Sequence, residues 1–274
     1  LFIDGHCHLA DPRFGDQLAE ILLKARGHGV EHFIQGGVGP EDWDAQLELS
    51  RVHAGIHCCF GLHPWWVAER SVMGGPMRGK DECERAFDRL PSFLDRAVGL
   101  GELGLDHGKR FPESTRALQR ELFVRQLGLA RERGLPLVLH VVRAHEEAFE
   151  ELRGEKREGI VHAFGGGWEV AKRYLDLGLT ISVGGVAARE NHETLARAIA
   201  RIPLDRLVIE SDSPDLPPPS YQGRLNEPSS ILEVARAVGL LKQVDPVEVL
   251  EQSRANLERI FKLELKKNEP GNPP

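Results

Sequence analysis

Short apolar, β-branched runs recur along the chain between longer stretches whose apolar residues return at helical spacing. The short runs predict eight strands, over 1–6, 32–37, 57–62, 97–103, 135–142, 159–163, 179–183 and 207–211. Pro136-Leu137-Val138-Leu139 is apolar throughout, the pattern of a strand buried on both faces of a parallel sheet. The clearest helix spans 112–133. Pro112 suits its first turn, Glu113 complements the dipole there, and Gly134 suits the position just past its end. Leu118, Leu122 and Leu129 share one face, widened by Phe123, Leu127 and Ala130. Similar periodicity predicts helices over 17–26, 42–53, 82–96, 168–177, 192–201, 229–238 and 246–262. Two stretches read as irregular, the Gly-rich 71–81 and the Pro-rich 214–228, and 266–274 reads as a flexible C-terminal tail.

Eight strands alternating with helices, without a long linker, predict an α/β fold of the (β/α)₈ TIM-barrel type, one domain over 1–265. An open doubly wound sheet is the alternative. Its dinucleotide-binding version lacks the Gly-rich phosphate fingerprint after the first strand. The length of 274 residues is ordinary for one such barrel.

With 41% apolar and 28% charged residues the chain is globular rather than disordered. No run of about 18 apolar residues occurs, so no membrane span is expected, and the first residues do not read as a signal peptide. The four cysteines, Cys7, Cys58, Cys59 and Cys83, form no C-x-x-C pair. They read as buried thiols in a reducing, cytoplasmic setting. A monomer is expected. The formal charge of −7 argues against avid, sequence-blind duplex binding. It leaves a nucleic-acid substrate open if bound cations or a local basic rim offset it.

The informative residues stand where strands end. His6 and His8 flank Cys7 on strand one, on one face of a strand. His63 follows strand three, Glu102 ends strand four, His140 ends strand five, His162 ends strand six and Asp212 ends strand eight. In a closed barrel these C-terminal ends form one ring, where active sites of this fold lie. Imidazoles and carboxylates pointing together need a partner, since an unpaired buried polar group costs a few kcal/mol. A metal is the natural one. The donor set lacks thiolate pairs, which suits Zn²⁺, Mn²⁺, Co²⁺ or Mg²⁺ at a hydrolytic site. The number of ligands exceeds what one zinc uses, and two ions bridged by a carboxylate fit the count. Arg143, just past strand five, is a candidate phosphate contact through its guanidinium fork. Trp65 and Trp66 offer stacking faces or rim packing, and Lys109, Arg110 and Arg224 offer a basic rim. His28, His32, His53 and His192 read as surface residues, and His57 as structural.

Six ordered blocks, Asp4-Gly5-His6-Cys7-His8-Leu9, Gly61-Leu62-His63-Pro64, Gly101-Glu102-Leu103-Gly104-Leu105-Asp106, Val138-Leu139-His140, Val161-His162-Ala163-Phe164 and Glu210-Ser211-Asp212-Ser213-Pro214, followed by Asn226-x-Pro228, resemble the TatD-type metal-dependent deoxyribonucleases of the amidohydrolase superfamily. The resemblance spans nearly the whole chain. It implies a barrel with two divalent ions, Zn²⁺, Mn²⁺, Mg²⁺, Co²⁺ or Ni²⁺. By the resemblance His6, His8 and Asp212 would hold one ion, His140 and His162 the other, Glu102 would bridge them, and His63 would stand at the substrate phosphate. The chain departs from the common pattern at Gly5, His107 and Ser211, and in placing Arg143 three residues after His140 rather than two. The implied activity is phosphodiester cleavage in DNA by a metal-activated water, as a 3′-end exonuclease on single strands, with Asp212 orienting the water and taking its proton. Alternatives are a hydrolase of another ester or amide, such as D-aminoacyl-tRNA or a small cyclic amide, and a non-enzymatic metal-binding module.

Overall fold

The computed structural model describes residues 1–154 and 156–265; the expected tail, 266–274, lies outside the described residues. Eight parallel strands stand in sequence order: β1 (Phe2–Cys7), β2 (Val30–Gln35), β3 (Ile56–Phe60), β4 (Gly99–Asp106), β5 (Leu137–Val142), β6 (Gly159–Val161), β7 (Thr180–Val183) and β8 (Leu207–Ile209). Helices fill the crossovers: α1 (Leu18–Gly27), α2 (Pro40–Val52), α3 (Pro64–Met73), α4 (Gly75–Arg89), α5 (Pro91–Leu94), α6 (Arg116–Arg133), α7 (His145–Glu151), α8 (Trp168–Asp176) and α9 (Glu193–Arg201); α10 (Ile231–Lys242) and α11 (Pro246–Phe261) follow the last strand. The architecture is the expected (β/α)₈ barrel. Among the described residues no helix is long and apolar enough to cross a membrane.

Ladders join each strand to the next from β1 to β8. The seam between β8 and β1 closes at its upper end instead. Asp212 N–H donates to the His6 carbonyl at 2.9 Å, and His8 N–H to the Ser213 carbonyl at 2.8 Å. The buried Asp4 carboxylate accepts from Ser211 N–H at 2.8 Å and from the Ser211 hydroxyl at 2.5 Å. Gly5 lies at the seam: a Cβ there would stand 2.7 Å from the Ile209 carbonyl oxygen.

Strand alternation builds two cores. One face packs on the helices, with Trp43, Phe60 and Phe93 at its centre. The other fills the barrel with Ile3, Ile34, Cys59, Val138, Ile160 and Val208, and Leu257, Ile260 and Phe261 of α11 join that inner cluster. The last helix therefore plugs the N-terminal mouth. Ser253 and Asn256 fasten it, Ser253 Oγ accepting from Ile209 N–H at 3.0 Å and the Asn256 amide donating to the Leu204 and Leu207 carbonyls.

Two strands break the alternation at positions that matter. In β4, Gly101 pairs with Val138 and Leu103 with Leu139, so Glu102 is the extra residue of a bulge. Leu100, Leu103 and Leu105 all join the outer core, and Glu102 is freed to point inward. In β1 a similar irregularity lies between Asp4 and Cys7. It turns Cys7 to the outer core although Ile3 faces the barrel. Bulges beside active sites commonly re-aim a side chain in this way.

The stretch 71–81, expected to be irregular, is helical through the end of α3 and the start of α4. Gly79, one of its three glycines, marks a close helix crossing rather than a loop: a Cβ there would lie 2.3 Å from the Arg70 carbonyl oxygen. Pro91 separates α5 from α4 within the single helix expected over 82–96. The short helices α3 and α7 were not predicted. By contrast 214–228 is irregular apart from a 3₁₀ turn at Pro219–Tyr221 and the start of another at Pro228.

His32, expected at the surface, is half-buried in β2 near the plugged mouth, and its Nδ1 stands 3.0 Å from His57 Nε2. Burial and the neighbouring His32 push His57 down to about 4, and burial also lowers His32, against Glu31 and Glu258 and with Arg26. An unfolded chain therefore binds more protons at these sites below the ordinary His value of about 6.5. Stability falls as pH drops from there toward about 4. We expect His57→Gln to flatten this loss by on the order of 1–3 kcal/mol. Urea unfolding at pH 7 and pH 5 in the presence of chelator checks it; identical pH slopes for variant and parent would refute it.

Candidate metal centre

The strand ends converge as the barrel predicts. His6 is delivered by the β1 irregularity and His8 by the residue just past β1. His63 caps the N-terminus of α3, Glu102 sits on the β4 bulge and His140 lies within β5. His162 follows β6, and Asp212 follows β8 in the left-handed region at φ 54°. All but His8 are buried.

Glu102, 1% exposed, is the centre. Its Oε2 lies 3.1 Å from His6 Nε2 and 3.2 Å from His8 Nε2. Asp212 Oδ1 completes that side, 3.7 Å from His6 Nε2 and 3.5 Å from His8 Nε2. Its Oε1 lies 2.9 Å from His162 Nε2, 3.2 Å from His63 Nε2 and 3.5 Å from His140 Nδ1. One carboxylate thus divides its two oxygens between two imidazole clusters. Space for this comes from Gly36, where a Cβ would stand 2.2 Å from His6 Cε1.

Charge follows from the packing. Burial alone would push Glu102 up, but His162, His63, His6 and His8 outweigh it and hold the carboxyl well below its ordinary value. Burial lowers His8 and His162, yet Glu102 dominates and raises both well above the usual imidazole range. Burial and the neighbouring His140 push His63 down to about 4, so it is neutral at pH 7. Asp4, behind the seam, is raised by burial to about 8.

Behind the ring a further layer orients the rings. Asp106 Oδ2 stands 3.2 Å from His140 Nε2, turning Nδ1 toward Glu102. The Gly36 carbonyl stands 3.2 Å from His8 Nδ1. Glu210 Oε1 accepts from Ala163 N–H at 2.6 Å and faces His162 Nδ1 at 3.7 Å, while its Oε2 accepts from the Ser182 hydroxyl. The Asn226 amide donates to the Ser211 and Asp215 carbonyls at 2.6 and 2.8 Å, pinning the loop of Asp212.

Sequence reasoning gathered the ring but missed Asp106, Glu210, Gly36 and this use of Asn226. Asp106, Glu210 and Asn226 stand in the quoted blocks, yet a backing role needs to know which ring nitrogen each meets. Arg143 is exposed at the end of β5, at φ 55°, outside the ring. The outer face of Trp65 is covered by the Arg110 guanidinium, 4.4 Å from the ring centroid, and Arg110 pairs with Glu69.

The donor set fits divalent ions. Three groups, His6–His8–Asp212, His6–Glu102–His162 and His63–Glu102–His140, each bring their ligand atoms within 4.8 Å of one another. His6 Nε2 and His8 Nε2 stand 3.3 Å apart, and His140 Nδ1 stands 3.0 Å from His162 Nε2. Imidazole nitrogens turned on each other at such distances need a shared proton or a cation. The clusters, joined by Glu102, are consistent with a binuclear divalent centre.

A nearly closed parallel barrel with such a centre at its C-terminal mouth defines a metal-dependent hydrolase of the amidohydrolase type. The family model described as TatD related DNase matches residues 3–262, and the chain belongs to that family. It is 34% identical over 268 residues to the uncharacterized metal-dependent hydrolase YcfH of Escherichia coli (strain K12), covering 96% of each chain. It is 29% identical over 266 residues to the uncharacterized metal-dependent hydrolase YabD of Bacillus subtilis (strain 168), covering 96% of this chain and all of the relative. Among solved structures, the TatD homolog YJJV of Escherichia coli K12 superposes with a TM-score of 0.81 at 28% identity, covering 96% of this chain and 98% of that one.

Gly36→Ala should displace the His6 ring and weaken metal retention while the fold persists. Metal content after dialysis against a mild chelator, beside circular dichroism, checks this; full retention would show that the ring tolerates the added methyl.

Proposed function

We propose that this hydrolase cleaves phosphodiester bonds of DNA, acting on single-stranded 3′ ends as a monomer. In this reading His6, His8 and Asp212 would hold one divalent ion, His140 and His162 would hold the other, and Glu102 would be shared between them. The division of the Glu102 oxygens between two imidazole clusters carries the reading. The family description supports DNA as the substrate class. Two dications against the two carboxylates leave the ring net positive, so a chain of formal charge −7 can still receive a phosphate there. All four cysteines are free and buried, which suits a reducing, cytoplasmic setting.

Bound ions would supply Lewis-acid polarisation of a phosphoryl oxygen and of the attacking water. The chain's own residues do the rest. Asp212 orients the attacking water and takes its proton at the carboxylate. Trp65 N–H donates to His63 Nδ1 at 2.9 Å, so neutral His63 carries its proton on Nε2. A nitrogen bearing that proton is a donor, which suits His63 to a phosphate oxygen better than to an ion. Arg143, exposed beyond β5, pairs with a neighbouring phosphate.

A gel assay on single strands labelled at either end, with each of the five metals, tests the activity. Stepwise shortening from the 3′ end is expected, and no cleavage with any metal would overturn the reading. Glu102→Ala should lower the rate more than about tenfold, since both clusters lose their common anion; a variant keeping more than a tenth of the parent rate would contradict the bridging role. His63→Ala should keep both ions and lose about 10²-fold in turnover, the size expected for one lost donor to a developing charge. Loss of one metal equivalent from that variant would make His63 a ligand.

A further inference from the structure

Trp65 touches two histidines of the ring by two different routes. Its backbone N–H, at the start of α3, donates to His63 Nδ1 at 2.9 Å. Its indole N–H donates to Asp106 Oδ2 at 2.5 Å, and the same oxygen stands 3.2 Å from His140 Nε2. The other oxygen of Asp106 accepts from Gly108 N–H at 2.6 Å. The carboxylate is therefore held from both sides and cannot turn without losing a donor. The buried Gln119 accepts from Asp106 N–H at 2.9 Å and fixes the backbone beneath it.

His140 is the ring histidine that faces Glu102 with Nδ1, whereas His6, His8, His63 and His162 use Nε2. Asp106 accounts for the difference. An acceptor at Nε2 fixes the proton there and leaves the Nδ1 lone pair aimed at the cluster. The carboxylate of Asp106 thus has a partner on each side, the Trp65 indole and His140 at Oδ2 and Gly108 N–H at the other oxygen. Arg110, over the indole and paired with Glu69, keeps the ring in place.

We propose that Trp65 and Asp106 are a positioning pair: through Asp106 the Trp65 indole fixes the tautomer and orientation of His140, while the Trp65 backbone fixes those of His63. The proposal rests on His140 being an ion ligand. Trp65→Phe separates the two routes, because it deletes the indole N–H and keeps the backbone donor. Asp106→Asn sets an amide N–H against a donor, either Gly108 N–H or the shared edge of Trp65 and His140.

The test is a Co²⁺ titration of the full chain, followed by visible absorption and tryptophan fluorescence, with circular dichroism and thermal melts as fold controls. The parent should bind two ions and His140→Ala one. Asp106→Asn should weaken one ion by about 10–100-fold and leave the other unchanged, as for loss of an outer hydrogen-bond partner of a ligating histidine. Trp65→Phe should weaken the same ion by about tenfold, in line with one lost hydrogen bond to a charged group. It should also remove the Co²⁺-dependent fluorescence change, with Trp43, Trp66 and Trp168 still present. Wild-type affinity for both ions in the two variants would overturn the pairing while the ligand assignment stands. Equal weakening of both ions would reduce Trp65 to a structural residue and overturn it as well. Two ions retained by His140→Ala would remove the ligand assignment and, with it, the proposal.

Discussion

Glu102 is a carboxylate held out of water against five imidazoles, and the upper half of the barrel is organised by that burial. An anion in such a place is tolerable only with compensating charge and hydrogen bonds on each oxygen. The β4 bulge turns it inward, Gly36 vacates the volume that it and His6 occupy, and the strand ends bring the imidazoles to it. Each device would be a local defect in an ordinary barrel. Together they make a cavity whose only satisfactory complement is positive.

The two sides of Glu102 are built differently. The His6, His8 and Asp212 side carries a second carboxylate in the ring itself, and His8 leans on a neutral carbonyl. The His140 and His162 side has no further carboxylate in the ring but has Asp106 and Glu210 immediately behind it. Negative charge is thus delivered directly on one side and through imidazole on the other. A carboxylate behind an imidazole makes that ring a stronger donor without occupying a coordination position.

The eight strands were legible because strands buried on both faces are short and apolar, and the ring was legible because six of the eight runs lead into a His or an acid. His140 and Asp212 needed nothing more than that register. The β1 and β4 irregularities were not legible: alternation along Leu100, Glu102 and Leu103 does not say which residue is extra, since the partner strand decides. The Gly-rich start of α4 failed for a related reason. Gly79 serves close packing against Arg70, and a glycine kept for space is indistinguishable in sequence from one kept for a turn. Asp106 and Glu210 lie in plain view, but their use depends on which ring nitrogen faces inward, a fact of three dimensions.

The seam between β1 and β8 has a consequence for the order of assembly. Glu102, His63, His140 and His162 come from β3 through β6 and the residues that follow them, so their cluster can form within a half-barrel. The other cluster needs His6 and His8 beside Asp212, and Asp4 meets Ser211 across 207 positions of chain. Contacts of such span carry the largest loop-closure cost and are made late. The first strand can pair with the second early, but its seam with the eighth closes late. An ion held between them would act as a latch on ring closure, and its release would loosen the seam before the half-barrel that carries the other cluster.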